Sequence, residues 1–129
     1  MVFHGSDGLD ELTTTTTSRV WVITDGASHE DVLDPATLGL APATREDLVG
    51  GDPEHNAGVV RDLLGGTTGP VRDIVLLNAA AALLAHAGPD AGRPVGDQLA
   101  GHLAAAGEAI DSGRASALLA DWADATQSA

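Results

Sequence analysis

The feature that most constrains this 129-residue chain is an apolar run at residues 74–84, Ile-Val-Leu-Leu-Asn-Ala-Ala-Ala-Ala-Leu-Leu. Gly69 and Pro70 precede the run and Gly88 follows it. Proline suits the first turn of a helix and glycine commonly ends one, so the pattern predicts a helix over about 70–87. A helix that is apolar nearly all round is normally buried among other elements. The rest of the chain must therefore provide elements that cover it.

Three further helices are predicted in the second half of the chain, over about 53–65, 96–112 and 114–125. Asp52 can cap the first of them, with Pro53 at its first position, before Gly65 and Gly66 end it. Gly113 separates the last two. From residue 50 onward, the chain therefore reads as helical.

The front third has the residue types of β-strands. Residues 19–24 are rich in β-branched and aromatic side chains, and Asp25-Gly26 after them is typical of a tight hairpin turn. The partner strand, residues 27–33, is polar and should lie at an edge or on a solvated face. Val2-Phe3 reads as a strand already under way at the first residue, which we interpret as a sign of truncation. The predicted class is α/β, one unit over residues 1–129 with strands at about 1–33 and helices at about 53–125.

Charge and composition exclude several classes of protein. Nineteen acidic and six basic residues leave a formal charge of −13, which opposes binding to nucleic acid or to an anionic membrane. The apolar stretch at residues 74–87 is interrupted by Asn78 and His86 and is shorter than a bilayer-spanning helix. There is no cysteine, and the first residues do not resemble a secretion signal. A cytoplasmic protein is predicted.

The densest polar cluster is His4-Gly5-Ser6-Asp7-Gly8-Leu9-Asp10-Glu11, which follows the predicted first strand. Its glycines allow a tight loop, and neighbouring carboxylates are hard oxygen ligands for a divalent cation. Magnesium suits the pattern because it usually takes one or two protein carboxylates together with water and substrate phosphates. The alternative interpretation is a solvated acidic turn in an acidic protein.

Other candidate sites are weaker. His29-Glu30 has no second histidine at the spacing of a zinc helix, and His86 and His102 are isolated, so a structural role is the simpler interpretation. Ser6 does not have the glycine spacing of a hydrolase elbow. The arginines are scattered singly and are expected to be mostly solvated: Arg19, Arg45, Arg61, Arg72, Arg93 and Arg114. No catalytic nucleophile or proton-transfer residue is predicted.

The run from His4 to Leu12 resembles the aspartate-glutamate motif region of the anthranilate phosphoribosyltransferases. Further matches follow in the same order: Leu33-Asp34-Pro35 with Leu38-Gly39-Leu40, Gly50-Gly51-Asp52 with Asn56-Ala57, Gly69-Pro70-Val71-Arg72-Asp73 with Leu77-Asn78-Ala79-Ala80-Ala81, and Ala109-Ile110-Asp111-Ser112-Gly113. The resemblance is collinear over nearly the whole chain. It implies the C-terminal portion of the larger α/β domain of a nucleoside phosphorylase/phosphoribosyltransferase-like fold.

The resemblance also implies an activity: transfer of the phosphoribosyl group from phosphoribosyl diphosphate to anthranilate in tryptophan biosynthesis, with magnesium. In similar enzymes the paired acidic residues hold the metal, which maps onto Asp10 and Glu11. The family forms homodimers, largely through N-terminal helices.

Some parts of the family pattern are missing from this sequence. The glycine-rich diphosphate loop, of the form Gly-Thr-Gly-Gly-Asp, and the Lys-His-Gly-Asn-Arg segment belong upstream of the acidic motif. We therefore expect phosphoribosyl diphosphate and anthranilate to bind only together with an N-terminal part, and the chain to be inactive alone. Three alternatives stay open: a non-catalytic helical module that binds a partner, a remnant of a truncated gene, and a related nucleoside phosphorylase.

Overall fold

A β-hairpin closed by Asp25 and Gly26 joins the central strand of the sheet to an edge strand, and the sequence predicted this hairpin. Both turn residues have positive φ, 51° and 76°, which matches the twist of a two-residue hairpin turn. The computed structural model describes residues 1–128. In them, the three antiparallel strands of the sheet are β1 (Val2–Gly5), β2 (Ser18–Thr24) and β3 (Ala27–Leu33), in the order β1-β2-β3. The polar strand β3 is at an edge, as predicted.

Four α-helices follow the sheet within the described residues, and each lies within two residues of its predicted bounds. They are α1 (Pro53–Leu64), α2 (Pro70–Ala87), α3 (Val95–Asp111) and α4 (Arg114–Gln127). Short 3₁₀ helices at Pro35–Leu38 and Glu46–Leu48 lie between β3 and α1. The predicted fold class, a small sheet followed by four helices, is confirmed.

Local capping explains where several elements begin. The Asp52 carboxylate accepts a hydrogen bond from the backbone N–H of His55 at 2.9 Å and so caps α1. Thr44 and Asp47 cap Glu46–Leu48 reciprocally: the backbone N–H of Thr44 donates to Asp47 Oδ2 at 2.8 Å, and that of Asp47 donates to Thr44 Oγ1 at 3.3 Å. Gly113, with a φ of 77°, separates α3 from α4. These contacts confirm the predicted caps.

The core lies between the sheet and helices α2 and α3. Its buried side chains come from both sheet and helices: Leu12, Val20, Val22, Leu33, Leu77, Ala80, Ala81, Leu84, Val95 and Leu99. Only one face of α2 is covered, because Val75 and Leu83 on its other side are each 39% exposed. The expectation that α2 is buried all round is therefore wrong for the described residues. The sheet and the one helix packed beside α2 cover only part of its circumference.

Helix α2 is longer than the apolar stretch at residues 74–87 that the sequence analysis judged too short to span a bilayer. Counted from Pro70 to Ala87, it has 18 residues with a mean hydropathy of 1.3, so by length and composition alone it could cross a bilayer. A core helix meets the same criteria. Within this fold its buried side chains, among them Leu77 and Leu84, pack in the core.

Candidate metal centre

Asp10 and Glu11, the predicted metal ligands, lie on the loop that connects β1 to β2, and both are exposed. We call residues 7–11 the acidic turn. The threonine-rich segment that follows it, residues 13–17, forms bends before β2 begins at Ser18. Thr13 and Thr14 are almost completely buried there. The acidic turn is therefore followed directly by buried residues, which hold it in place.

Tight backbone hydrogen bonds close the start of the loop. The N–H of Gly5 donates to the carbonyl of Leu9 at 2.9 Å, and the N–H of Gly8 donates to the carbonyl of Gly5 at 3.0 Å. Gly8 has a φ of 98°, a conformation that favours glycine. A side chain at Gly5 would collide with the Asp7 carboxylate and lie 3.1 Å from Thr13 Cγ2. A larger residue at position 5 would therefore displace the Asp7 carboxylate.

Asp7 is exposed, but its carboxylate holds the loop together through hydrogen bonds. Its Oδ2 accepts hydrogen bonds from the hydroxyls of Thr13, at 2.7 Å, and Thr15, and its Oδ1 accepts one from the N–H of Leu9 at 3.2 Å. Burial by itself would raise the pKa of Asp7, but the hydrogen bonds from Thr15, Thr13 and Leu9 outweigh it and lower the pKa. Asp7 is therefore a structural acceptor, which separates it from the other two carboxylates of the cluster.

The end of the acidic turn is attached to helix α2 through Asn78. Asn78 Oδ1 accepts a hydrogen bond from the backbone N–H of Leu12 at 3.0 Å, and Asn78 Nδ2 donates to the carbonyl of Leu12 at 2.8 Å. The Leu12 side chain itself is fully buried in the core. Both ends of the turn are therefore anchored, and Asp10 and Glu11 lie between the anchors.

The electrostatics of the turn favour a cation. Partial burial, together with the nearby charges of Asp10 and Asp7, raises the pKa of Glu11. Within residues 1–128, the carboxylates of Asp10 and Glu11 form no hydrogen bond or ion pair. A divalent cation would relieve this repulsion, so the residues present fit magnesium.

The described residues do not form a complete metal site by themselves. No group of three or more histidine or acidic side chains within residues 1–128 is arranged to hold a metal. Magnesium commonly takes only one or two protein carboxylates and completes its coordination with water and substrate phosphates. Asp10 and Glu11 would thus supply the protein's share of the ligands.

A cavity of about 260 Å³ adjoins the acidic turn. It is lined by Asp7, Gly8, Leu9, Thr15, Arg45, Leu48 and Val49. Arg45 contributes a positive charge to a lining that otherwise contains the Asp7 carboxylate. The cavity places the turn beside a space that a small molecule could enter.

The other sequence candidates are dispersed, and one expectation about them is corrected. His29 is on β3, His86 in the last turn of α2 and His102 on α3, so no metal-binding group forms from them within residues 1–128. Arg72 is not solvated: its side chain is only 10% exposed and pairs with Asp111 of α3 at 2.8 Å. The periodicity of α2 gave no sign of this partner.

Sequence reasoning also missed Asn78 as part of the site. The signal was present, because Asn78 interrupts the apolar run of α2, and a polar group on a packed helix face needs a hydrogen-bond partner. Its partner, Leu12, is 66 residues away in the sequence. Sequence spacing could not identify it.

Comparisons with known proteins find relatives over nearly the whole chain. The sequence profile described as "Glycosyl transferase family, a/b domain" matches residues 1–116. The anthranilate phosphoribosyltransferase of Thermobifida fusca is 54% identical over 127 residues, which cover 98% of this chain and 36% of that enzyme. The match is to a C-terminal part of such enzymes. The chain thus spans about a third of the length of the curated relatives it matches.

Solved structures share the fold. The anthranilate phosphoribosyltransferase from Thermus thermophilus is 36% identical with a TM-score of 0.75, covering 93% of this chain and 33% of that one. The enzyme from Saccharomyces cerevisiae in complex with PRPP and Mg has a TM-score of 0.83 at 24% identity. The aligned region covers 98% of this chain and 35% of the yeast enzyme. At that identity, the yeast structure supports the fold alone.

Proposed function

This chain belongs to the glycosyl transferase family, a/b domain, and from that premise we propose that it serves phosphoribosyl transfer from phosphoribosyl diphosphate to anthranilate, an early step of tryptophan biosynthesis. Its part is the magnesium-binding turn, with Asp10 and Glu11 as the ligands. The bound metal would neutralise charge on the diphosphate as that group departs. A cytoplasmic location remains a prediction.

The observation that carries the proposal is the anchored acidic turn. Asp7 uses its carboxylate to close the loop, and Asn78 attaches the far end to α2. Asp10 and Glu11 lie between these anchors, and they are exposed. A preorganised pair of carboxylates need not be reordered when the charged group arrives, which is the main source of electrostatic catalysis. A merely solvated turn would not need such support.

We further propose that residues 1–128 alone do not bind the substrates well enough to react. Phosphates require clustered cations or backbone donors, and three of the arginines are engaged elsewhere. Arg19 pairs with Glu30, Arg72 with Asp111, and Arg114 lies 3.5 Å from Glu108. The purified chain should therefore form phosphoribosyl anthranilate no faster than background. Turnover by the chain alone would contradict this.

The test of the metal role joins this chain to the N-terminal part of the Thermobifida fusca enzyme. Replacing Asp10→Asn and Glu11→Gln removes two charges and leaves side-chain volume nearly unchanged. We expect a loss of about 10²–10³ in magnesium-dependent turnover, the scale of a key preorganised electrostatic contact. The melting temperature should not fall, and high magnesium should partly restore the rate because the substrate's phosphates still bind the ion.

A matched control removes two exposed carboxylates outside the turn, Glu54→Gln on α1 and Asp124→Asn on α4. It changes the net charge by the same amount and should leave turnover at wild-type level. Wild-type turnover at low magnesium in the Asp10/Glu11 variant would show that the carboxylates form only a solvated turn. An equal loss in the control would assign the effect to net charge.

A second candidate function, a helical partner-binding module, is favoured by the surface of α4. Leu118 and Trp122 are 69% and 67% exposed, and they line an apolar groove with Ala115, Leu119 and Asp121. Because the groove carries Asp121 and the chain has a charge of −13, its partner would be an amphipathic helix with lysines flanking a leucine face. A synthetic peptide of that kind should bind the chain, and Leu118→Ser with Trp122→Ser should abolish binding. No binding to the unaltered chain would eliminate this candidate.

A further inference from the structure

We propose that Asn78 is a positioning residue for the acidic turn, so that a side chain of helix α2 sets the metal affinity of Asp10 and Glu11 without touching the metal. The inference rests on the proposed function of those two carboxylates. It goes beyond that function because it assigns a role to a helix residue 67 positions after Glu11 in the sequence.

The amide of Asn78 is used almost completely. Its Nδ2 donates to the carbonyl of Leu12 at 2.8 Å and to the carbonyl of Ile74 at 3.0 Å, while its Oδ1 accepts from the N–H of Leu12 at 3.0 Å. Both amide hydrogens and one oxygen lone pair are therefore engaged. A side chain with this bonding pattern has one available orientation, so it can hold Leu12 rigidly. We call the two hydrogen bonds between Asn78 and Leu12 the clamp.

The clamp acts on the residue next to Glu11. Leu12 donates and accepts through its own backbone, so both hydrogen bonds fix the plane of the peptide groups that lead into the turn. Leu12 is 0% exposed, so these backbone groups lie close to the core, where leaving one of them unpaired is unfavourable. The position of the main chain at Glu11 therefore depends on α2.

Packing of helix α2 in the core holds Asn78 in place. Leu77 and Ala81, which flank Asn78 on the helix, are both fully buried. At the other end of the turn, Asp7 binds the hydroxyls of Thr13 and Thr15. Loss of Asn78 would leave that end in place and release the end nearer Glu11. The expected consequence is a broader distribution of Glu11 positions with the fold intact.

Asparagine also matters because it is neutral. An aspartate at position 78 would lose the donors to Leu12 and Ile74 and would add a negative charge next to a turn that contains Asp7, Asp10 and Glu11. Outer-shell partners of metal ligands typically contribute 10–100-fold to metal affinity. We expect Asn78→Ala to weaken Mg²⁺ binding by about 10-fold.

The experiment titrates the complete 129-residue chain with Mg²⁺ alone and follows the backbone amides of Asp10 and Glu11 by NMR. Asn78→Ala is compared with Ile74→Val, a change at a buried α2 residue whose side chain does not bind the turn. Asn78→Ala should raise the Mg²⁺ dissociation constant about 10-fold, and Ile74→Val should leave it within twofold. Equal effects of the two variants would overturn the inference.

Activity in the chain joined to the Thermobifida fusca N-terminal part provides a second readout. A positioning role predicts that Asn78→Ala raises the magnesium concentration needed for half-maximal rate, while kcat at saturating magnesium recovers to within about twofold. A purely structural role would lower kcat at every magnesium concentration and leave the half-maximal concentration unchanged. That second pattern would contradict the proposal.

A measurement on the unaltered chain covers the case in which the variant does not fold. The amide of Leu12 should exchange with deuterium as slowly as core amides of β2, because Asn78 accepts its hydrogen bond. Exchange at the rate of Asp10 would show that the clamp is not formed. If Asp10→Asn with Glu11→Gln leaves the Mg²⁺ titration unchanged, the proposed function fails. If that variant abolishes it while Asn78→Ala behaves like Ile74→Val, only the clamp fails.

Discussion

Arg72 of α2 and Asp111 of α3 form an ion pair of 2.8 Å in which the arginine side chain is nine-tenths buried and the aspartate is 62% exposed. The pair joins two helices that pack along the core, across 39 residues of sequence. Arg72 Nη1 is buried with no recorded hydrogen-bond partner. The guanidinium therefore depends on Asp111 for compensation of its charge, and the two residues are not equivalent.

This asymmetry predicts unequal effects of mutation on stability. Asp111→Ala leaves the buried guanidinium without its partner and should lower the free energy of unfolding by about 1–2 kcal/mol, reduced from the fully buried case because Asp111 is exposed. Arg72→Met removes the charge and keeps the packing of the chain, so it should cost less. Urea unfolding of both variants measures the difference. A larger loss for Arg72→Met would show that Arg72 acts mainly through its own packing.

The pKa values of Asp7 and Glu11 should lie further apart than those of an ordinary aspartate and glutamate. Hydrogen bonds hold the pKa of Asp7 below its ordinary value, while partial burial and neighbouring charges raise the pKa of Glu11. As the pH falls, Glu11 should therefore take up its proton before Asp7 does. Carbon-detected NMR of the two side-chain carboxyl groups measures this order, and the reverse order would contradict the described hydrogen bonding of Asp7.

The sign of the stability effect follows from these directions. A lowered pKa in the folded state means that Asp7 contributes stability above its unfolded pKa of about 4, and that this contribution is lost as the pH falls through the lowered value. Glu11 has the opposite sign: its charged form is disfavoured on folding, so its penalty disappears as the pH falls through its raised pKa. Asp7→Asn should therefore lose more stability at pH 7 than at pH 3, whereas Glu11→Gln should gain slightly at pH 7.

Two glycine substitutions should change stability in opposite directions. Alanine at Gly5 would place its Cβ against the Asp7 carboxylate and Thr13, and overpacking of this kind costs about 1–3 kcal/mol. Alanine at Gly58, in α1, meets no atom within 4 Å and should stabilise by about 0.5–1 kcal/mol through helix propensity. Thermal unfolding of the two variants tests both signs. A stabilised Gly5→Ala would show that the loop adapts at low cost.

The order and bounds of the elements could be predicted from the sequence because they depend on neighbours along the chain. Asp25-Gly26 needs only its own backbone freedom to turn, and Asp52 caps α1 through a residue three positions away. The glycine-acidic cluster at residues 4–11 marked the candidate site for the same reason, since its ligands are adjacent. The metal role of Asp10 and Glu11 stays a prediction.

Tertiary structure alone decided how the site is supported. Asn78 meets Leu12, and Arg72 meets Asp111, only because α2 packs against both the sheet side of the core and α3. Sequence periodicity identifies which face of a helix is apolar, but it does not say which distant group will lie opposite a polar residue on that face. It also could not show that Asp7, in the same cluster as Asp10, accepts hydrogen bonds from Thr13 and Thr15 and so supports the loop. The choice among three similar carboxylates depends on hydrogen-bond donors that only the folded loop brings together.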